Sequence, residues 1–349
     1  MAHGYTVVGW NRQKRWYDGV VLGGVALGVG AFVLVTAVTN PGMTAETIII
    51  RASALAALLL LHVILCIGPL ARLDERFAPL LYNRRHLGVA MFLMALVHGA
   101  FSVLQFHGFG DANPLHSVFA AYARDYTLVS GLGQIPFEAF GALALLILFL
   151  MAATSHDFWL KNLGSPVWKA LHQLVYVAYG LIMLHVFFGA LQSEASGALV
   201  PVLAVGFAAI AGLHGASWWQ ESRTDRARGD VTSDGFVDVA AAGELQEGCG
   251  RVVVAAGTRI ALYRHEGRAF AMSNVCRHQG GPLGEGRIVD GCATCPWHGW
   301  NYRPQDGLSP PPFKEIVSTY PVRVLNGRVQ VRPEPFPEGT RSEGAHLES

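Results

Sequence analysis

Apolar residues collect in six long runs before about residue 220, at about 17–39, 47–70, 86–106, 134–154, 168–190 and 197–219. Each is near the ~20 residues that a helix needs to cross the hydrocarbon of a bilayer. The runs are almost unbroken rather than striped, so the element they predict is a transmembrane helix and not an amphipathic surface helix. The pattern changes after Trp219, where ESRTDRARGDVTSDG is polar and charged and reads as a linker over 221–234. Short β-branched runs follow at 251–255, 260–263, 316–320 and 322–324, separated by Gly- and Pro-containing turns. They predict a small antiparallel β domain over 235–333. From Glu334 the chain is polar with no apolar period, which predicts a disordered tail over 334–349. The expected fold is therefore an N-terminal segment (1–16), a six-helix membrane bundle (17–220), the linker, an all-β domain and the tail.

Charge orients the bundle. Arg12, Lys14 and Arg15 precede the first run, Arg72, Arg76, Arg84 and Arg85 lie between the second and third, Lys161 and Lys169 between the fourth and fifth, and Arg223, Arg226 and Arg228 after the sixth. The opposite loops, 40–46, 107–133 and 191–196, offer only Arg124. By the positive-inside rule both termini and the β domain face the cytoplasm, in a bacterial inner membrane. The first run is longer than a signal-peptide core and no small-residue cleavage site follows it, so it reads as a retained span. A hydrophobic fraction of 52% with 15% charged residues fits lipid as a partner, and a net charge of +1 without a basic stretch argues against nucleic acid.

Chemistry concentrates in the β domain. Cys276-Arg277-His278 and Cys295-Pro296-Trp297-His298 offer two thiolates and two imidazoles. Cys₂His₂ is also a zinc set, but zinc fingers pair Cys with Cys and His with His, whereas each short motif here carries one of each. That arrangement suits a [2Fe–2S] cluster in which Cys276 and Cys295 hold one iron and His278 and His298 the other. Cys66, Cys249 and Cys292 have no patterned partner, so no disulfide framework is expected.

The stretches CRHQGGPLGEG (276–286) and CPWHGWNYRPQDG (295–307) resemble the cluster loops of Rieske ferredoxins and of Rieske domains in ring-hydroxylating oxygenases. The resemblance runs from about 235 to 333. High-potential relatives carry an extra Cys in each loop, where this chain has Gly281 and Trp297, and a Ser where it has Trp300. The resemblance also implies that the Tyr302 hydroxyl points at a cluster Cys. Fewer donors to sulfur leave the reduced cluster less stabilised, which implies a potential at the low end of the Rieske range.

Histidines inside apolar spans are costly and mark function or a helix-bridging hydrogen bond. His62 lies in the second run, His98 in the third, His172 and His185 in the fifth, and His86 at the lip of the third. Imidazoles on facing helices are what bis-histidine haem requires. The segments NRRHLGVAMFLMALVHGAF (83–101) and TSHDFWLKNLGSPVWKALHQLVYVAYGLIMLHVF (154–187) resemble the ferric-reductase-like transmembrane family. That resemblance places His98, His172 and His185 at haem-ligand positions, and Arg84 and Arg85 at a basic pair for haem propionates or lipid phosphate, or simple positive-inside charge. At ~1.5 Å per residue, His98 and His185 lie about 18 and 25 Å into their helices and His172 about 6 Å, so His98 pairs with His185. His86 and His62 compete as the partner of His172, leaving one or two haems b. His107, His116 and His156 read as loop histidines and His214 as a helix-packing one.

These readings combine into a membrane electron-transfer protein, in which a cytoplasmic donor, a flavin reductase or a ferredoxin, loads the cluster and haem b passes electrons to an outer or quinone acceptor. No G-x-G-x-x-G follows a strand in the soluble part, so the donor is expected to be a separate protein. A Rieske oxygenase would need two His and a carboxylate for a further iron, and His346 is the sole histidine after His298. A non-catalytic redox sensor or assembly subunit is the alternative. The reduced protein is expected to give an EPR signal with average g near about 1.9 and a midpoint near about −150 mV. A midpoint well above zero in a redox titration would contradict this reading of the loops.

Overall fold

In lipid a backbone satisfies its hydrogen bonds internally, so the apolar runs form helices. The computed structural model describes residues 12–81, 84–108, 113–119, 136–193, 199–226, 231–297 and 299–347. Two compact units result, one of Met1–Cys66, Asn83–Asn162 and Val167–Ala211, the other of Ile67–Tyr82, Leu163–Pro166 and Gly212–Ser349. The helices are α1 (Arg12–Thr39), α2 (Ala45–Leu73), α3 (Ala78–Leu81), α4 (Arg84–His107), α5 (Pro114–Phe119), α6 (Phe137–Ala153), α7 (Asp157–Leu163), α8 (Ser165–Gln173), α9 (Val175–Phe188), α10 (Ala190–Ser193) and α11 (Leu199–Arg226).

Among the described residues, five stretches are long and apolar enough to cross a membrane: α1, α2, α4, the α8–α9 segment and α11. The expected fourth span, 134–154, is α6, whose 17 residues cover about 25 Å of the ~30 Å hydrocarbon thickness. The expected fifth span is broken at Leu174, which keeps right-handed helical angles between α8 and α9. Leu61 and Leu65 of α2, Met91 and Phe92 of α4, Ala144 and Leu148 of α6, Ala178 and Tyr179 of α9 and Ile210 of α11 make the core of the first unit. Leu22, Leu27 and Val38 on α1 and Val205 and Phe207 on α11 lie open, an apolar surface that suits lipid rather than water. The protein is an integral membrane protein.

Lipid provides no hydrophobic drive between helices, so close approach at small residues holds them together. A Cβ on Gly99 would sit 2.8 Å from Leu145 Cδ2, which places α4 directly on α6. His107, expected in a loop, is instead the buried last residue of α4, its Nδ1 2.6 Å from Ser117 Oγ of α5. His116 likewise lies on α5.

The second unit is built on strands β1 (Val237–Ala241), β2 (Gly250–Ala255), β3 (Thr258–His265), β4 (Arg268–Ser273), β5 (Arg287–Val289), β6 (Cys292–Thr294), β7 (Asn301–Tyr302), β8 (Thr319–Tyr320), β9 (Val322–Leu325), β10 (Arg328–Val331) and β11 (Ala345–His346). They form three antiparallel sheets, ordered β1-β10-β9, β11-β4-β3-β2 with β8 also on β4, and β5-β6-β7. Four hairpins close in two residues, Ala256-Gly257, Glu266-Gly267, Asp290-Gly291 and Asn326-Gly327, and all eight have positive φ. Two positive φ values give the turn whose twist matches paired strands, which is why glycine holds the second place. Strand β3 is buried on both faces: Ile260 and Leu262 enter one core, Ala261 and Tyr263 another, and the second core also holds Cys276 and Cys295.

Two expectations are corrected. The linker begins as helix, because α11 continues to Arg226. Glu221 and Asp225 near its C-terminus work against the helix dipole, and Arg259 of β3 offsets them by bonding Glu221 and gripping Asp225 at 2.7 Å through Nε and Nη2. The tail as far as Leu347 is ordered by pairing: β11 pairs with β4, Leu347 is buried, and the N–H groups of Phe336 and Ser342 donate to the Thr319 and Gln305 carbonyls at 2.8 and 2.7 Å. Backbone pairing needs no apolar period, so a polar stretch carries no sign of it.

A Cβ on Gly257 would meet nothing within 4 Å, so Gly257→Ala tests the positive φ alone. It is expected to lower the stability of the β domain by about 1–2 kcal/mol, measured by thermal or denaturant unfolding. An unchanged midpoint would mean the turn relaxes without cost.

Candidate metal centre and membrane histidines

The two Cys-His segments leave the ends of short strands and fold into the same turn. In the first, Gly280 N–H donates to the Cys276 carbonyl (2.7 Å) and Cys276 N–H to the Gly281 carbonyl (2.9 Å). In the second, Gly299 N–H donates to the Cys295 carbonyl (2.9 Å) and Cys295 N–H to the Trp300 carbonyl (2.8 Å). Gly280 and Gly299 occupy the same place with φ of 70° and 69°, which favours glycine. The segments meet closely: a Cβ on Gly281 would lie 2.6 Å from Cys295 Sγ and 3.1 Å from the Trp297 ring. Asn274 braces the first segment, its buried Oδ1 accepting Gly284 N–H at 2.7 Å and its carbonyl accepting Leu283 N–H at 2.9 Å.

Cys276 and Cys295 are each 2% exposed. The hydrogen bond with Cys295 lowers the Cys276 thiol to about 6, and the Tyr302 hydroxyl adds to it. Tyr302 Oη, fully buried, lies 3.4 Å from Cys276 Sγ and accepts Arg277 N–H at 3.0 Å, which leaves its own proton for the sulfur. Burial raises Tyr302 and Tyr263 well above the usual phenol range, and the neighbouring thiols push both further. Tyr263 donates its proton to the Leu283 carbonyl. Two buried thiols held together, one already favouring thiolate, fit one iron of a cluster. His278 is half-buried and lies flat against Trp300; His298 lies outside the described residues. No group of three or more metal-ligating side chains occurs among the described residues, which do not include His298.

In the first unit the structure brings His98 and His185 together, with ring centroids 6.1 Å apart and planes at 74°. Each Nδ1 faces a carbonyl, Ile50 for His98 (3.1 Å) and Phe137 for His185 (2.8 Å). A carbonyl only accepts, so both rings carry the proton on Nδ1 and present a lone pair at Nε2. Gly141 makes room for His185, whose Nδ1 would lie 2.8 Å from a Cβ there.

The other histidines do not converge in this way. His172 donates from Nδ1 to the Trp168 carbonyl (3.0 Å), stacks on that indole with centroids 3.8 Å apart, and buries an Nε2 without a hydrogen-bond partner. His86 Nδ1 is taken by Asp18 of α1 at 2.8 Å, and His62 Nε2 lies 3.2 Å from Tyr179 Oη against Gly206. Among the described residues neither ring contacts His172. Arg84 is exposed. Arg85 donates to the Ser155 carbonyl at 3.2 Å and lies over the Trp168 ring, beside His172. Sequence reasoning missed Asp18, Tyr179, Asn274, Ser309 and Phe313, since their roles come from contacts between distant segments.

Residues 52–183 match the family described as ferric reductase like transmembrane component, and residues 235–321 match the Rieske [2Fe-2S] domain. The ferredoxin component of an alkene monooxygenase system from Xanthobacter autotrophicus is 33% identical over 104 residues, 30% of this chain and 85% of that protein. The ferredoxin subunit of anthranilate 1,2-dioxygenase from Burkholderia cepacia is 37% identical over 79 residues, 22% of this chain and 73% of that protein. Among solved structures, a complex of reduced oxygenase and oxidized ferredoxin in carbazole 1,9a-dioxygenase matches at 28% identity and a TM-score of 0.28, covering 30% of this chain and 98% of that one. The chain thus belongs to the Rieske [2Fe–2S] family through its C-terminal domain, which it joins in one polypeptide to a ferric-reductase-like transmembrane component.

Proposed function

We propose that this protein passes single electrons from a cytoplasmic Rieske cluster to haem b in the membrane, and on to an acceptor in the membrane or beyond it. An electron-transfer role follows from the two domains together; the cofactor sites, direction and partners are the proposal. The observation that carries it is the His98–His185 pair. Two imidazoles on opposite sides of one iron have ring centres about 6 Å apart, given metal–nitrogen bonds of about 2.0 Å and half a ring on each side. The observed 6.1 Å, with Nδ1 of both rings turned to backbone carbonyls, fits that requirement.

When bound, cluster and haem each supply a one-electron couple. The chain's own residues set the conditions. Cys276 and Cys295 would hold one iron and His278 and His298 the other, while the Tyr302 hydroxyl donates toward Cys276 and stabilises negative charge on sulfur. The Ile50 and Phe137 carbonyls hold the planes and tautomers of His98 and His185. Arg85, near the start of α4, suits a haem propionate or a lipid phosphate. The alternating Lys/Arg distribution favours a cytoplasmic Rieske domain, where a flavin reductase or reduced ferredoxin could reach it. A bacterial plasma membrane and a quinone or outer acceptor complete the reading.

Replacing His98 or His185 by Ala is expected to abolish the low-spin bis-imidazole spectrum, while His62→Ala and His86→Ala retain it. A wild-type haem content in both of the first two variants would show the pairing to be wrong. A pyridine haemochrome assay is expected to give one haem per chain, and two would mean that His172 also finds a ligand partner. In stopped flow with NAD(P)H and a reductase, haem in wild type should be reduced much faster than in His278→Ala. Equal rates would remove the Rieske domain from the path of electron input.

A further inference from the structure

The ring of Trp300 lies face to face with His278, centroids 4.3 Å apart and planes only 5° from parallel. Three contacts fix the indole from outside the pair. Its backbone carbonyl accepts Cys295 N–H at 2.8 Å, its Nε1 donates to Ser309 Oγ at 3.2 Å, and the Phe313 ring packs against it at 4.4 Å. The supporting residues are themselves held: Ser309 is buried, its N–H donates to the Glu315 carbonyl at 2.9 Å, and Leu308 bridges Ile316 to close the segment 308–316. A turn well outside both Cys-His motifs thus sets the plane of an indole, and the indole lies against the plane of an imidazole.

We propose that Trp300 is a positioning residue for the iron–sulfur cluster, fixing the ring plane of His278 and covering one face of that ring from water, with 308–316 as its support. This rests on the reading of His278 as a cluster ligand. A metal-bound imidazole is usually oriented by a hydrogen bond from its second nitrogen; here a flat aromatic face constrains it as well. The same cover acts on the potential. The reduced cluster carries one more negative charge than the oxidised one, and an apolar ring in place of water solvates that charge less well. Trp300 therefore holds the midpoint down, through its ring rather than merely by lacking the hydroxyl that high-potential relatives carry at this position.

The test uses the full-length protein and compares Trp300→Phe, Trp300→Leu, Trp300→Ala and His278→Ala. Iron and acid-labile sulfide content, EPR of the reduced state, midpoint potential at one pH, and the half-life of the visible spectrum in air are read. Phe keeps a flat face and is expected to retain the wild-type EPR line positions and midpoint. Leu fills volume without a plane and is expected to broaden the EPR lines, while Ala, which also opens the face to water, is expected in addition to raise the midpoint and shorten the half-life by about tenfold. A Leu variant that matches Phe would overturn the proposal, because bulk alone would suffice. Phe and Ala variants that behave alike would overturn it too, and if Ala fails to hold a cluster the Phe–Leu comparison still decides. A Rieske signal that survives in His278→Ala would instead refute the ligand reading beneath it, and is distinguishable from either result.

Discussion

The second unit depends on one backbone constraint used twice. Cys276 and Cys295 each open a turn in which the cysteine carbonyl accepts the N–H four residues on and the cysteine N–H reaches the carbonyl five residues on. Closing it requires a left-handed residue at the fourth step, and Gly280 and Gly299 supply one at no steric cost. The turn holds each thiol at its start and leaves the following residues to carry an imidazole. Because both thiols enter the core that also holds Tyr263 and Tyr302, they are shielded from solvent while phenol hydroxyls remain nearby. That combination suits thiolates that must bind iron without being freely reachable by water.

A comparable constraint governs the first unit, by different means. An imidazole in lipid must place its N–H on an acceptor, and the backbone carbonyls of Ile50 and Phe137 receive those of His98 and His185. The tautomer is then decided by the helix packing, with the proton on Nδ1 in both rings. His62 and His86 answer the same cost with side-chain partners, Tyr179 and Asp18. The cost of burying a polar group is thus met in two ways, by backbone carbonyls at His98 and His185 and by side chains at His62 and His86.

One-electron transfer asks that cofactor-bearing side chains change little between oxidation levels, and in both halves of the molecule the candidate side chains are held by backbone hydrogen bonds and close packing. In the β domain, two-residue hairpins and the tail strand on β4 tie the strands from which the two loops leave. In the bundle, glycines at the α4–α6 and α6–α9 contacts bring helices together around the paired histidines.

The sequence by itself determined the two-part architecture, since unbroken apolar runs and alternating β-branched runs have different periods and cannot be confused over such lengths. It also named the Cys-His motifs, because their spacing is local, and selected His98 and His185, whose depths follow from helical rise. Only the tertiary structure decided where the remaining histidines turn, His62 to Tyr179 and His86 to Asp18, because ring direction depends on helix rotation, which a sequence without a strong apolar stripe leaves open. The same holds for the tail, whose strand is recruited by backbone hydrogen bonds to β4, and for α6, whose length falls short of its apolar run. Trp300 against His278 belongs with these: the indole is placed by Ser309 and Phe313, and no local rule links those positions to a histidine some thirty residues before them. Spacing along the chain reports periodic elements and contiguous motifs, while contacts between distant segments are set by packing.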